Sequence, residues 1–295
     1  MTVQLKKIGI TSIGDMGLSV AGRLKACGFE VYTSLEGRSE RTAGLTRKAG
    51  VADCGSIENL VKTCDAVLSI LDPSAAVAKG REIADAIKAT GKRIVFVDCN
   101  AISPDTAHEI DGFITKAGGI SIDGGILRVT VGGKQEIRLY VSGPDATILT
   151  QIVDDQLRIH VVGEQIGNAS GLKMCYGAFT KGALALGMEL FLTAGKLGVI
   201  EHLEAEMKES QPEVYKWILG RAVGMAPKAY RYAPEMLEGA KTFEEAGFTP
   251  RMLQGAADMF EWIAKTPLAG ENLEQAREKG RTGREIMHAL IAGKA

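Results

Sequence analysis

Ile8-Gly9-Ile10-Thr11-Ser12-Ile13-Gly14-Asp15-Met16-Gly17 decides how the chain begins to fold. Lys7 to Ile13 is apolar and β-branched, the composition of a buried strand. Leu18 to Cys27 has helical spacing, with Val20, Ala21 and Leu24 on one face. The glycines fall between the two. Gly14 allows a diphosphate to approach the backbone, where the helix N-terminus favours its charge, and Gly17 permits close packing of helix on strand. In the pattern G-x-G-x-x-G the first glycine is replaced by Ser12, which makes the turn provided its φ is negative. Ser12, Ile13, Gly14, Asp15, Met16 and Gly17 are therefore the predicted dinucleotide cradle. A strand–turn–helix with purely structural glycines reads the same way, so the rest of the chain must decide between them.

The next strand, Phe29 to Thr33, bears on the choice between NAD and NADP. An NAD protein tends to place an acid near its end, to bind the ribose hydroxyls. Here the chain continues Ser34-Leu35-Glu36-Gly37-Arg38-Ser39-Glu40-Arg41. Arg38 and Ser39, with Ser34, can hold a 2′-phosphate through charge-assisted hydrogen bonds, which favours NADP. Glu36 keeps NAD open, and a solvated charged loop is the plain alternative.

Alternation continues outward. Ala66–Leu71, Arg93–Asp98, Gly119–Ile122, Arg138–Ser142 and Arg158–Val162 read as strands. Helices are predicted from Ser56 to Val61, from Ser74 to Ala89, and from a Ser103-Pro104-Asp105 start. The pattern predicts an α/β fold, a Rossmann-type doubly wound parallel sheet with helices on both faces. Leu71 ends a strand, Asp72 and Asn100 follow strand ends, and all three border the predicted cofactor site; Asp72-Pro73 and Asn100 are also ordinary turn residues. Near Gly163 the pattern changes. Asn168 to Leu197 reads as one long apolar helix, and the remainder as an all-α C-terminal domain broken at Pro212, Pro227, Pro234, Pro250 and Pro267. The domain reading is 1–163 for dinucleotide binding and 164–295 for a helical substrate and dimerisation domain. Glu271 to Ala295 is charged and helix-prone, a peripheral helix.

Composition narrows the function classes. A net charge of -1 supplies no global attraction for nucleic acid or an acidic membrane. The most apolar stretch, Gly182 to Gly195, contains Glu189, so no membrane partner is expected. The five cysteines form no C-x-x-C pair, and no His/Cys cluster has zinc spacing, so no metal is expected and the thiols read as reduced. The first residues enter a strand-like run without a signal peptide, so a soluble cytoplasmic protein is expected.

The second informative stretch is Gly163-Glu164-Gln165-Ile166-Gly167-Asn168-Ala169-Ser170-Gly171-Leu172-Lys173-Met174-Cys175-Tyr176-Gly177. It resembles the 3-hydroxyacid dehydrogenase superfamily, relatives of 6-phosphogluconate and 3-hydroxyisobutyrate dehydrogenases. That family has a glycine-rich approach to its interdomain helix and then a catalytic lysine; Gly167 and Lys173 match. Asp98-Cys99-Asn100-Ala101-Ile102-Ser103-Pro104 resembles the segment flanking the nicotinamide, and Ile122-Asp123-Gly124-Gly125-Ile126 the substrate-binding segment. Where the family often has asparagine four residues beyond the lysine, this chain has Gly177. The C-terminal part is similar to a 6-phosphogluconate dehydrogenase-like branch with a DUF1932-like helical domain, through Ser170–Lys181 and Thr242–Pro250.

The resemblance implies an NAD(P)-dependent oxidoreductase acting on a small anionic hydroxy acid, with Lys173 as general acid/base. On the residues alone, Lys173, Gly177 and Lys181 are spaced four apart, one stripe of an uninterrupted helix and a seat for a small anion; Lys181 reads equally as a structural ion pair. Ser121, Asp123, Gly124 and Gly125 are the other substrate-binding candidates, with a structural glycine loop as the alternative. Two rival functions remain: an imine reductase of the same architecture, and a non-catalytic dinucleotide-binding sensor or assembly protein. A homodimer is expected, because a long apolar helix and a modest helical domain leave apolar surface to bury.

Overall fold

The computed structural model describes residues 3–271 and 273–293. Its N-terminal part alternates strand and helix: β1 (Lys7–Ile10), α1 (Asp15–Ala26), β2 (Glu30–Thr33), α2 (Glu40–Ala49), β3 (Ala52–Asp53), α3 (Ile57–Thr63), β4 (Ala66–Ser69), α4 (Ala76–Thr90), β5 (Val95–Asp98) and α5 (Pro104–Lys116). Then come β6 (Ile120–Val131), β7 (Lys134–Ser142) and β8 (Leu157–Gly163). Together they form one eight-stranded sheet in the order β3-β2-β1-β4-β5-β6-β7-β8. Strand order reverses between the parallel strands β1 and β4, the switch point at which a doubly wound sheet opens a crevice beyond its strand ends.

The side-chain pattern explains both faces. Ile8, Ile10, Leu68, Val95 and Val97 join one buried cluster with Val20, Ala21 and Leu24 of α1. Their neighbours Val67 and Phe96 join a second cluster with residues of α3, α4 and α5. Strands covered on both faces are apolar at successive positions, which is why they read as continuous runs. Ser56 and Ser103 each accept a hydrogen bond from the third residue onward, Asn59 and Thr106, and so start α3 and α5.

Within the expected parallel sheet, β6 and β7 pair antiparallel, from Asp123↔Ser142 to Val131↔Lys134. Gly132 and Gly133 join them with φ of +57° and +78°. A two-residue turn with both φ values positive matches the twist of a hairpin and suits glycine. The sequence reading also missed α2, mostly charged and polar with Leu45 and Ala49 packed on the core, and β3, which is two residues long.

The chain divides into two compact units, Met1–Met174 and Cys175–Ala295. The division falls inside α6 (Asn168–Gly177), whereas β8 ends at Gly163, the boundary read from sequence. Beyond α6 the expected single helix is interrupted by a π-helical turn, Ala178–Gly182, before α7 (Ala183–Lys196). The second unit continues with α8 (Ile200–Ser210), α9 (Pro212–Ala222), α10 (Ala229–Glu245), α11 (Arg251–Ala264), α12 (Leu273–Glu278) and α13 (Gly283–Ile291). Met188, Phe191, Phe260, Ile263 and Met287 form its core. Pro234 does not break the chain as expected but lies within α10. The buried face of that helix, Ala229, Ala233, Met236 and Ala240, carries it past the missing N–H. The single peripheral helix expected over Glu271 to Ala295 is instead two helices, and α13 buries Ile286, Met287 and Leu290 in the core, with residues 272, 294 and 295 outside the described part. Among the described residues no helix is long and apolar enough to cross a membrane.

Candidate active site

The turn after β1 has the geometry a diphosphate needs. Gly14 caps α1 with φ -83°, and no side chain takes the first-turn N–H groups. A Cβ on Gly14 would meet nothing within 4 Å, leaving the approach open. A Cβ on Gly17 would stand 2.1 Å from the Ser12 carbonyl oxygen, so only glycine lets the helix close on the turn. Ser12 makes that turn without a positive φ, since every positive-φ residue among those described is glycine. Ile13 points into the core and offers only its backbone to a ligand. Two arginines flank the first turn: Arg41 pairs with Asp15 at 3.2 Å, and Arg128 of β6 donates to the Asp15 carbonyl at 3.2 Å and the Ser19 hydroxyl at 2.8 Å. Open N–H groups, a cleared approach and nearby cations fit a dinucleotide diphosphate.

The residues after β2 are more committed than their sequence suggests. Ser34 is buried and donates to the Gly55 carbonyl at 3.0 Å. With its one proton used, it is no longer the phosphate donor expected of it. Ser39 caps α2 by accepting the Thr42 N–H at 3.3 Å. Arg38 folds back to the turn after β1, donating to the Thr11 carbonyl at 2.9 Å. Thus Arg38 does lie beside the glycine turn.

Beyond β4 and β5, Asn100 is a clamp rather than a ligand donor. Its Nδ2 donates to Ser69 Oγ and Asp98 Oδ2, both at 3.0 Å, and its Oδ1 accepts the Leu71 N–H at 2.7 Å. Both amide protons have partners inside the protein. Leu71 is held by this clamp. Asp72 accepts from the Ser74 N–H at 3.1 Å and hydroxyl at 2.7 Å, as an ordinary Asx-Pro turn does.

Lys173 is fixed from the same unit. Its Nζ donates to the Cys99 carbonyl at 3.1 Å, just past the end of β5. The Gly14–Gly17 turn lies past the end of β1, and β1, β4 and β5 run parallel through Ile10↔Leu68 and Ser69↔Asp98. Amine and glycine turn therefore share the carboxyl edge of the sheet. Two features seat the helix that carries the amine. Asp123 Oδ2 accepts the N–H groups of Gly167 at 2.9 Å and Ser170 at 3.0 Å, and the Ser142 hydroxyl at 2.9 Å. Gly125 lets α6 touch β6, since a Cβ there would lie 2.8 Å from the Ala169 carbonyl and 3.0 Å from Lys173 Cβ.

These contacts also give the substrate-binding candidates structural roles. Asp123 is buried and anchors α6. Gly124 permits close strand pairing, its Cβ position being 2.7 Å from the Asp98 carbonyl. Ser121 is buried and hydrogen-bonds Asp111 of α5. Lys181 forms an ion pair with Glu235 at 2.5 Å, with its ammonium 5.5 Å from the Tyr232 ring centre. The π turn that contains Lys181 breaks the four-residue spacing on which the stripe with Lys173 and Gly177 depended. Gly177 has only Lys181 Nζ near its Cβ position, at 3.9 Å.

Sequence reasoning missed Asp98, Ser142 and Ser170. Asp98 gave a signal, an acid closing the apolar run Val95-Phe96-Val97. Burial pushes its carboxyl up to about 7, against the hydrogen bonds from Asn100. Ser142 and Ser170 gave none, because their partner Asp123 is distant in sequence. Among the described residues no group of three or more His, Cys, Asp or Glu could hold a metal ion.

Residues 7–151 match the family model described as the NAD binding domain of 6-phosphogluconate dehydrogenase. Residues 194–263 match a domain of unknown function, DUF1932. A protein of Methanothermus fervidus, described as an uncharacterized 28.5 kDa protein in the 7S RNA 5′ region, is 30% identical, over 87% of this chain and 98% of its own. A conserved protein whose structure is described as similar to 3-hydroxyacid dehydrogenases has 28% identity and a TM-score of 0.64, over 93% of this chain and 99% of its own. The fold is also shared with 3-hydroxyisobutyrate dehydrogenase of Salmonella typhimurium, at 16% identity and a TM-score of 0.68, over 93% of this chain and 99% of that one.

The glycine turn, the doubly wound sheet and the matched N-terminal domain define a Rossmann-type dinucleotide-binding protein of the oxidoreductase class. Within that class, the chain belongs to the 3-hydroxyacid dehydrogenase superfamily, in a 6-phosphogluconate dehydrogenase-like branch with a DUF1932 C-terminal domain.

Proposed function

We propose that the protein is a dehydrogenase that moves a hydride between a nicotinamide dinucleotide, preferentially NADP, and a small hydroxy acid, with Lys173 as general acid/base. The observation that carries this reading is the placement of Lys173 Nζ against the Cys99 carbonyl, on the sheet edge that bears the Gly14–Gly17 turn. When bound, the dinucleotide supplies the hydride acceptor or donor. The chain supplies the rest. The first turn of α1 binds the diphosphate, and Arg38 with the α2 N-terminus at Ser39 receives the 2′-phosphate. During oxidation Lys173 Nζ takes the proton of the substrate hydroxyl; in the reverse direction it returns that proton to the forming alkoxide. The Cys99 carbonyl orients the amine for both steps.

Turnover of a panel of small 3-hydroxy acids with NADP+ tests the assignment. Lys173→Met is expected to lower kcat by about 10³-fold while dinucleotide affinity stays near that of the parent. Near-normal turnover in that variant removes Lys173 from the reaction. The same proposal includes a homodimer through the helical unit, supported by exposed Phe179, Leu186, Leu197 and Met252. Sedimentation that shows a stable monomer at micromolar concentration contradicts the dimer.

A further inference from the structure

Asp98 closes β5 after three apolar residues and is 3% exposed. A carboxyl in that place is costly to bury, and its oxygens are directed at one neighbour. Oδ1 accepts the Asn100 backbone N–H at 2.8 Å, and Oδ2 accepts Asn100 Nδ2 at 3.0 Å. Asn100 carries the link across to the next strand, through Ser69 Oγ and the Leu71 N–H. Cys99 lies between the two. Its N–H donates to the Ser69 carbonyl at 2.9 Å, and its own carbonyl receives Lys173 Nζ at 3.1 Å. The carbonyl that orients the amine therefore stands in a three-residue turn closed by one carboxyl and one amide.

We infer that Asp98 is a positioning residue for Lys173: by fixing Asn100 it sets the direction of the Cys99 carbonyl, and so the place of the amine. The inference rests on the reading of Lys173 as the proton-transfer group. It has a specific chemical signature, because both Asp98 oxygens accept from Asn100. In Asp98→Asn, one orientation of the new amide sets its NH2 against Asn100 Nδ2, and the other sets it against the Asn100 N–H. Turning Asn100 instead brings its NH2 against the Leu71 N–H. Each arrangement leaves two donors facing each other in a buried site. The exchanged pair, Asp98→Asn with Asn100→Asp, removes the conflict. The amide now at position 98 accepts the backbone N–H and donates to the carboxylate now at position 100. That carboxylate accepts from Leu71, and the Ser69 hydroxyl turns to donate to it.

The test reads the amine itself, without substrate. Reductive methylation of the full-length protein with formaldehyde and a borane reductant, followed by peptide mass spectrometry across pH, gives the reactivity of Lys173; Lys92, held by the Cys64 and Lys62 carbonyls, is the internal reference. Asp98→Asn is expected to change Lys173 labelling by about five-fold, the equilibrium worth of one ordinary hydrogen bond, with Lys92 unchanged. The exchanged pair is expected to return it to within about two-fold of the parent. A curve for Asp98→Asn that overlays the parent overturns the inference, as does failure of the exchanged pair to restore it. Should Asp98→Asn not fold, Ser69→Ala withdraws a single acceptor from Asn100; about a two-fold change is then expected, and none overturns the inference. Since Lys173→Met turnover tests the reaction, this labelling result can fail without the proposed reaction failing, and the reverse also holds.

Discussion

Asp123 Oδ1 accepts the Ser170 hydroxyl at 2.5 Å while Oδ2 accepts the Ser170 backbone N–H at 3.0 Å. One carboxylate on β6 thus holds the first turn of the helix that presents Lys173. It fills the place of a helix cap from a distant strand, where a local serine or aspartate ordinarily serves. Asp123→Ala leaves the N–H groups of Gly167 and Ser170 and two buried hydroxyls without their acceptor. The expected cost is about 3 kcal/mol or more, read by urea unfolding, with Asp123→Asn losing less. A stability loss under about 0.5 kcal/mol for the alanine variant contradicts the anchoring role.

Gly125 and Gly14 should separate packing from ligand approach. A methyl at Gly125 meets the Ala169 carbonyl and Lys173 Cβ, so α6 must shift away from β6. Gly125→Ala is expected to cost about 1–3 kcal/mol and to lower turnover with it. A methyl at Gly14 meets nothing, and the φ there suits any residue. Gly14→Ala should stay within about 1 kcal/mol of the parent, since the change at a helix cap is small. Its dinucleotide affinity, measured by calorimetry, should nevertheless fall. Unchanged affinity in a folded Gly14→Ala protein counts against the cradle.

Two buried carboxyls pull stability in opposite directions with pH. Burial raises Asp98 from 3.8 to about 7, so folding favours its protonated form. Its contribution is complete below pH 3.8 and is lost as pH rises to about 7. Glu204 is the reverse. Arg284 donates to both of its oxygens and Tyr215 to one, holding the carboxyl below 4.5; its contribution is present above that value and lost in acid. Asp98→Asn should therefore remove a falling slope of up to about 1.4 kcal/mol per pH unit across that window, relative to the parent. Denaturant melts at several pH values check this, and parallel curves for parent and variant refute it.

The legible parts of this protein were those whose physics is local. The strand–turn–helix at Gly14 and Gly17 and the serine caps at Ser56 and Ser103 sit within a few residues of what defines them. The antiparallel β6–β7 pair was not legible, because register and direction are set by partners across the sheet. Gly124 and Gly125 looked like ligand contacts for a related reason. Close backbone approach and ligand approach demand the same residue, and only the distances to Asp98 and Ala169 tell them apart. The intramolecular partners of Asn100 and Ser34 were not legible because a polar side chain after a strand serves a ligand or a neighbouring strand equally well. The spacing argument for Lys181 failed at the π turn Ala178–Gly182, which shifts helical phase.

Arg38 offers the sharpest separation of cofactor choice from fold. Its guanidinium reaches the Thr11 carbonyl at 2.9 Å, one residue before Ser12, so one side chain joins the end of β2 to the glycine turn. Losing that bond in Arg38→Ala weakens the turn for either dinucleotide, and affinity for NAD and NADP should fall together by that amount. A 2′-phosphate adds a second loss that NAD does not feel, because a charge-assisted contact to arginine exists only with NADP. The informative quantity is therefore the ratio of the two Kd values. Arg38→Ala is expected to lower the preference for NADP by about ten-fold, and Arg38→Lys by less, since lysine keeps the charge without the fork. Because phosphate contacts are screened, the NADP preference of the parent should also shrink as salt rises, and that of the alanine variant should barely respond. Equal losses for both dinucleotides, at every salt concentration, place Arg38 in the turn alone and remove it from cofactor selection.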